Sequence, residues 1–174
     1  MKVLVTGATG FIGGYIIEEL LKRDVTVIAT SSNKSKAINK NWFANTTYIE
    51  HNIFDPIVED VFKKFKNPDI VIHTAWSYLD DFKSKKHVDL VLPRHVIFLK
   101  NLIKNGLTDL TCLGTCLEYG MLEGKLNEEM EGEPTINYSI AKNLLRKELE
   151  GFQSFHNFSL KWGRLFYMYG NGQS

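Results

Sequence analysis

The chain is 174 residues long, 44% hydrophobic and 24% charged, with a formal net charge of +1, enough to bury the core of one domain and part of a second. Acids and bases are spread along its whole length, which excludes the basic stripe of a nucleic-acid binder and the polybasic arm of a membrane-surface protein. No apolar run approaches the roughly 20 residues that cross a bilayer and Met1-Lys2 leads straight into a strand-like run; Cys112 and Cys116 have no second Cys/His pair at ligand spacing, so free thiols in a cytoplasmic, reducing setting are expected rather than a disulfide scaffold or a metal site.

Apolar runs alternate with helix-patterned stretches, the order of βαβ units around a parallel sheet, so one α/β domain over 1–174 is expected. KVLVT (2–6) is continuously apolar and β-branched, as suits a strand covered on both faces. FIGGYIIEELLKR (11–23) follows with Phe11, Ile12, Tyr15, Ile16 and Leu20 at helical spacing. VTVIAT (25–30) and TTYIEHNI (46–53) are the second and third strands, and the stretch between them, SSNKSKAINKNWFAN (31–45), is polar and mobile in character. VEDVFKKF (58–65) predicts a short crossover helix and PDIVIHTA (68–75) a fourth strand. A long helix is predicted over 87–106, kinked at Pro93 and capped by Gly106. LTDLTCLGT (107–115) is the fifth strand, NYSIAKNLLRKELEGF (137–152) a helix, and FSLKWGRLFYMYG (158–170) a sixth strand running into a loop. This order predicts a doubly wound sheet whose ligand crevice opens at the carboxyl ends of strands one and four.

Within VTGATGFIGG, Gly7, Gly10 and Gly13 are spaced three apart between a predicted strand and a predicted helix. A Cβ there would obstruct a tight turn, a close backbone approach to pyrophosphate, or helix-on-strand contact, while the helix start supplies free N–H groups. The turn, with Thr9, Phe11 and Ile12 inside it, is therefore a candidate phosphate site. Tyr138 and Lys142 stand four apart on a predicted helix, which puts them on one face about 5–6 Å apart at Cβ. On spacing alone such a pair is an ordinary exposed face; beside a glycine turn it becomes a phenol next to an ammonium. The ammonium is expected to lower the phenol's pKa from its usual value near 10 and make it usable in acid or base chemistry.

TGATGFIGG resembles the T-G-x-x-G-x-x-G signature of the short-chain dehydrogenase/reductase superfamily, in particular its extended branch of nucleotide-sugar epimerases, dehydratases and ketoreductases. DIVIHTAW, LGTCLEYG, YSIAK and GRLFYMYGNGQ are similar to that branch's strand-four, strand-five, Y-x-x-x-K and strand-six segments, in the same order. The resemblance implies an NAD(P)-binding Rossmann fold and a 4-ketosugar reductase or 4-epimerase acting on a nucleotide-sugar, in polysaccharide biosynthesis. Tyr138 would then exchange the proton, Lys142 would support it and bind the nicotinamide ribose, and Thr115 would position the reacting oxygen. Dehydratases of the branch carry an acidic pair after this threonine, where this chain has Cys116 and Leu117; Glu118 lies one place too far, so reduction or epimerisation is expected rather than loss of water. The rival reading is a non-catalytic dinucleotide-binding or redox-sensing domain.

An acid ending the second strand would select NAD, but Ser31 stands there, followed by Ser32, Asn33, Lys34 and Lys36, so NADP(H) is favoured over NAD(H). By the resemblance, Asn52 and Ile53 flank the adenine and Ala75 and Trp76 line the cofactor groove, Trp76 being alternatively a core or lid aromatic. His73 reads as a satisfied buried histidine rather than a base, and His51, His87, His95 and His156 show no metal spacing. Asp89 and Tyr167 replace asparagines of the branch, leaving their roles open. Members of the branch continue well past the sixth strand, so the substrate half is expected to be largely missing here, whether the chain is a fragment, comes from a truncated gene, or is completed by a partner. Its expected partner is a nucleotide-sugar substrate, with no nucleic acid and no membrane, and a homodimer is a possible assembly.

Overall fold

Val3, Leu4 and Val5 are almost wholly buried because the strand that carries them, β1 (Lys2–Thr6), runs through the middle of a parallel sheet covered on both faces. A computed structural model describes residues 1–57 and 60–173. Its strands β2 (Thr26–Ser31), β3 (Thr47–Glu50), β4 (Ile70–His73), β5 (Asp109–Thr115) and β6 (Ser159–Leu165) complete the sheet in the order β3-β2-β1-β4-β5-β6. All pairings are parallel, with Thr6 beside Thr30 of β2 on one side and His73 of β4 on the other. The strand order reverses between β1 and β4, so the connections leave in opposite directions and a crevice opens at their carboxyl ends.

Alternation along the strands divides the core in two. Leu4, Ile28, Val71 and Leu110 face α3 (Val61–Lys64), α4 (Leu92–Lys104) and α5 (Asn137–Phe152), where Phe98, Leu102 and Leu145 are fully buried. Val3, Val5, Val27 and Ala29 face Ile17 of α1 (Phe11–Leu20), Ala37 of α2 (Lys34–Ile38) and Trp42.

Four sequence expectations are corrected. The stretch 31–45 is ordered into α2 and a 3₁₀ turn at Phe43–Asn45. The Asn33 side chain caps α2 by accepting the Lys36 amide at 2.9 Å, and Trp42, 2% exposed, pins the segment to the core; the polar composition hid a single deep anchor. Pro93 does not kink a continuous helix. The segment 87–106 begins as a π-helical turn at His87–Val91, and α4 follows with Pro93 in its first turn, where no amide donor is needed. Gly106, at φ +123°, closes it as expected. The crossover helix expected over 58–65 is observed as Val61–Lys64 with Asp60 as its cap, and residues 58 and 59 lie outside the described residues. β3 ends at Glu50, because Asn52 leaves the sheet in a side-chain-closed turn, its Oδ1 accepting the Phe54 amide at 3.2 Å. Among the described residues no helix is long and apolar enough to cross a membrane, and no cluster of metal-ligating side chains occurs.

Candidate functional site

The crevice at the switch between β1 and β4 encloses a cavity of about 600 Å³. The glycine turn forms one wall. Gly7 has φ +67°, and a Cβ on it would lie 2.7 Å from the Ala75 amide; a Cβ on Gly13 would collide with the Gly7 carbonyl. Any other residue would push α1 off the strand ends. Gly10 caps α1 without a side-chain bond, and no acid occupies the first turn, so the first amides of α1 keep their donors and their positive dipole end for a ligand. Thr30 Oγ1, buried and without a partner among the described residues, also borders this space. A helix start with unspent donors beside an orphaned hydroxyl fits the diphosphate and ribose of a dinucleotide.

The structure gathers most of the sequence candidates here. Gly7, Thr9, Gly10, Phe11, Ile12 and Gly13 line the cavity with Ser31 and Ser32, and so do Asn52, Ile53, Ala75, Trp76 and Tyr138. Lys34, Thr115 and Lys142 do not line it. The Lys34 amide donates to Glu50 Oε1 at 2.8 Å, so a carboxylate from the end of β3 caps α2 next to Ser31, its register partner.

Tyr138 opens α5, held there because its amide donates to Phe82 O at 3.0 Å and Asn137 Nδ2 donates to Lys83 O at 2.6 Å. The Phe82 ring stacks on the phenol with centroids 4.9 Å apart, and Trp76 and His87 meet it edge-on at 6.1 and 5.4 Å. The π-helical turn brings His87 into this cluster. Trp76 Nε1 can only donate, so His87 Nδ1 accepts it at 3.1 Å and Nε2–H donates to Asp81 O at 3.0 Å.

The electrostatics of the pair overturn one expectation. Burial pushes the Tyr138 phenol up to about 12, with Glu118 and Cys116 adding to the rise and a hydrogen bond with Thr115 opposing it. The Lys142 ammonium is not among the groups acting on it. Its Nζ donates to Leu113 O at 2.7 Å and lies 4.0 Å from the Trp76 ring centroid, against 6.0 Å from that of Tyr138. Burial also pushes Lys142 down to about 8. The shared helix face is as predicted; the coupling is not, because both groups are desolvated and the cation is already engaged by a carbonyl and an indole.

Glu118, dismissed as one place out of register, proves structural. It is 1% exposed and accepts the Thr115 amide at 2.8 Å, Trp162 Nε1 at 3.0 Å and Arg164 Nε at 3.2 Å. It closes the end of β5 on β6 and stays out of the cavity. His73 is buried as expected, and burial holds it down to about 3. Asp89 is exposed on the π-helical turn and Tyr167 is 87% exposed, away from the cavity. His95, Leu79 and Phe82 line the crevice without having been singled out as site residues. The position of His95 on the buried face of α4, in step with Val91, Phe98, Leu99 and Leu102, was the available signal.

A family model described as the NAD dependent epimerase/dehydratase family matches residues 3–174. Among curated proteins, the chain is 27% identical over 172 residues to a dTDP-6-deoxy-L-talose 4-dehydrogenase (NAD(+)) of Aggregatibacter actinomycetemcomitans, covering 98% of this chain and 63% of that one. It is 28% identical over 169 residues to a dTDP-4-dehydro-6-deoxyglucose reductase of Escherichia coli, covering 86% and 52% respectively. Among solved structures, UDP-glucose 4-epimerase of Thermotoga maritima with UDP-glucose matches at TM-score 0.85 and 25% identity, over 100% of this chain and 58% of that one. UDP-glucuronic acid 4-epimerase from Bacillus cereus in complex with NAD shares the fold at TM-score 0.81 and 21% identity, over 99% and 58%. The chain thus spans between half and two thirds of the length of these relatives.

Proposed function

The chain belongs to the NAD dependent epimerase/dehydratase family, and from that premise we propose that it binds NADP(H) or NAD(H) in the crevice and reduces a carbonyl group of a nucleotide-linked sugar. The observation that carries this reading is Tyr138, a phenol on the crevice wall across from the glycine turn, kept protonated by burial. A phenol with a raised pKa is a poor base at neutral pH but a competent acid toward an alkoxide, which is far more basic. When bound, the dinucleotide supplies the hydride. The first amides of α1 would hold its diphosphate, Trp76 and Phe82 pack around Tyr138 and limit its access to water, and Tyr138 Oη would deliver its proton to the carbonyl oxygen. Thr115 orients the phenol through their hydrogen bond, and Lys142, held by Leu113 O and the Trp76 ring, fixes the indole that meets Tyr138 edge-on. This is also one half of a 4-epimerisation, and the 25% identity to UDP-glucose 4-epimerase supports that second reading.

The lack of an acid at the end of β2 supports NADP(H), with Ser31 and Ser32 on the crevice wall and Lys34 and Lys36 nearby in sequence. Glu50 beside them tempers this charge, so the preference is modest. The test is isothermal titration with NADPH and NADH, followed by NADPH consumption with nucleotide-linked 4-ketosugars. Tyr138→Phe is expected to bind NADPH as the unmutated chain does and to lower the rate of consumption by about 10²–10⁴-fold, the usual worth of a positioned acid. An unchanged rate in this variant, or binding of neither nucleotide to the unmutated chain, overturns the reading.

A further inference from the structure

A buried chain of hydrogen bonds runs from the end of β1 to the crevice. Thr6 Oγ1 meets His73 Nδ1 at 2.9 Å, and His73 Nε2 meets His95 Nδ1 at 2.8 Å. All three residues are about 1% exposed. Burial holds His73 down to about 3 and His95 well below the usual histidine range, so both rings are neutral and each carries a single ring proton.

The direction of the chain follows from the Thr6 hydroxyl proton, at the point where Thr6 also borders the crevice. The Thr6 hydroxyl already accepts the Ala75 amide at 3.4 Å, and the described contacts give its own proton no acceptor except His73. With Thr6 donating to His73 Nδ1, the arrangement that gives its proton an acceptor, the His73 proton stays on Nε2 and is donated to His95 Nδ1. The His95 proton is in turn on Nε2. That atom has no protein partner among the described residues, yet it is not among the sealed polar atoms that lack one, and His95 lines the cavity. Nε2–H is thus a donor presented to the crevice. His95 packs on Trp76 at 4.6 Å, and Trp76 meets Tyr138 at 6.1 Å, which places the donor at the end where hydride and proton must reach one carbonyl.

We propose that His95 is a binding residue of the crevice, donating Nε2–H to the carboxamide oxygen of a bound nicotinamide, with Thr6 and His73 as the positioning residues that fix its tautomer. A neutral donor suits an uncharged oxygen rather than a phosphate. The proposal rests on the dinucleotide reading above, and its test separates the two. In the ¹⁵N-histidine-labelled chain, His95 is expected as the Nε2–H tautomer, its Nε2 resonance moving with NADH and not with ADP-ribose, which lacks the ring. His95→Phe is expected to weaken NADH about tenfold, the loss of one neutral hydrogen bond, and to leave ADP-ribose unchanged. His95→Gln, which keeps an amide donor, is expected to retain most of the affinity. Thr6→Val, close in shape and free of the packing change at His95, is expected to weaken NADH alone. The Nδ1–H tautomer, an Nε2 resonance indifferent to NADH, or equal effects of the variants on NADH and ADP-ribose overturns the role of His95 while leaving dinucleotide binding intact; failure of the unmutated chain to bind either probe overturns the dinucleotide reading itself.

Discussion

Lys142 shows how far a residue's setting can depart from its spacing. A lysine one turn after a tyrosine reads as its electrostatic partner, yet here the ammonium is buried against Leu113 O and the Trp76 ring. Its pKa is lowered to about 8 from the ordinary 10.5. A base whose folded pKa lies below its unfolded value costs stability in full below the folded pKa, and the cost fades as pH rises toward the unfolded value. Between pH 8 and 10.5 the folded protein has released that proton and the unfolded chain has not, so stability rises with pH through this window. The expected gain is about 3 kcal/mol at most. Urea unfolding at pH 7 and at pH 10 should show the rise in the unmutated chain and its loss in Lys142→Met. Cys112 and Tyr138, both raised by burial to about 12, act with the opposite sign above pH 9 and pH 10 respectively, so the Lys142 share is read as the difference between the unmutated chain and Lys142→Met.

At the scale of elements, the end of β5 is held by one carboxylate. Glu118 receives the Thr115 amide at its own turn and reaches across to Trp162 and Arg164 of β6. Arg164 is largely buried beside it. Removing one partner of such a pair leaves the other charge uncompensated, at a cost of about 3–5 kcal/mol. Glu118→Gln keeps the shape and two of the accepted bonds but loses the charge, and chemical denaturation should place its cost in the lower part of that range. Because Thr115 ends the same strand and hydrogen-bonds Tyr138, the variant is also expected to lower the rate of NADPH consumption. A stability within error of the unmutated chain would show that the β5–β6 closure does not depend on this ion pair.

For the whole molecule, the crevice is assembled from segments far apart in the chain, so a ligand that fills it stabilises the folded state as a unit. NADPH at about 100 times its Kd should raise the unfolding free energy by about 2.7 kcal/mol, seen as a rise in Tm. NADH at the same concentration should raise it less, and Glu50→Gln should widen that gap by removing the carboxylate beside Ser31. Equal shifts with both nucleotides in both proteins would end the case for an NADP(H) preference.

The residue pattern alone determined the strand order, the glycine turn and the helix carrying Tyr138 and Lys142. Each is written in local periodicity: apolar runs, a three-residue glycine spacing, and a helix whose bounds, Asn137–Phe152, coincide with the expectation. What the chain order could not carry is which groups meet after folding. The Trp42 anchor beneath a polar stretch, the inward turn of Glu118, the π-helical turn that swings His87 onto Tyr138, and the Thr6–His73–His95 chain all join residues from separate elements. Tertiary structure decided them because desolvation and hydrogen-bond partnering depend on distance in space, and for the same reason a phenol expected to be made acidic by its neighbour is instead held protonated by burial.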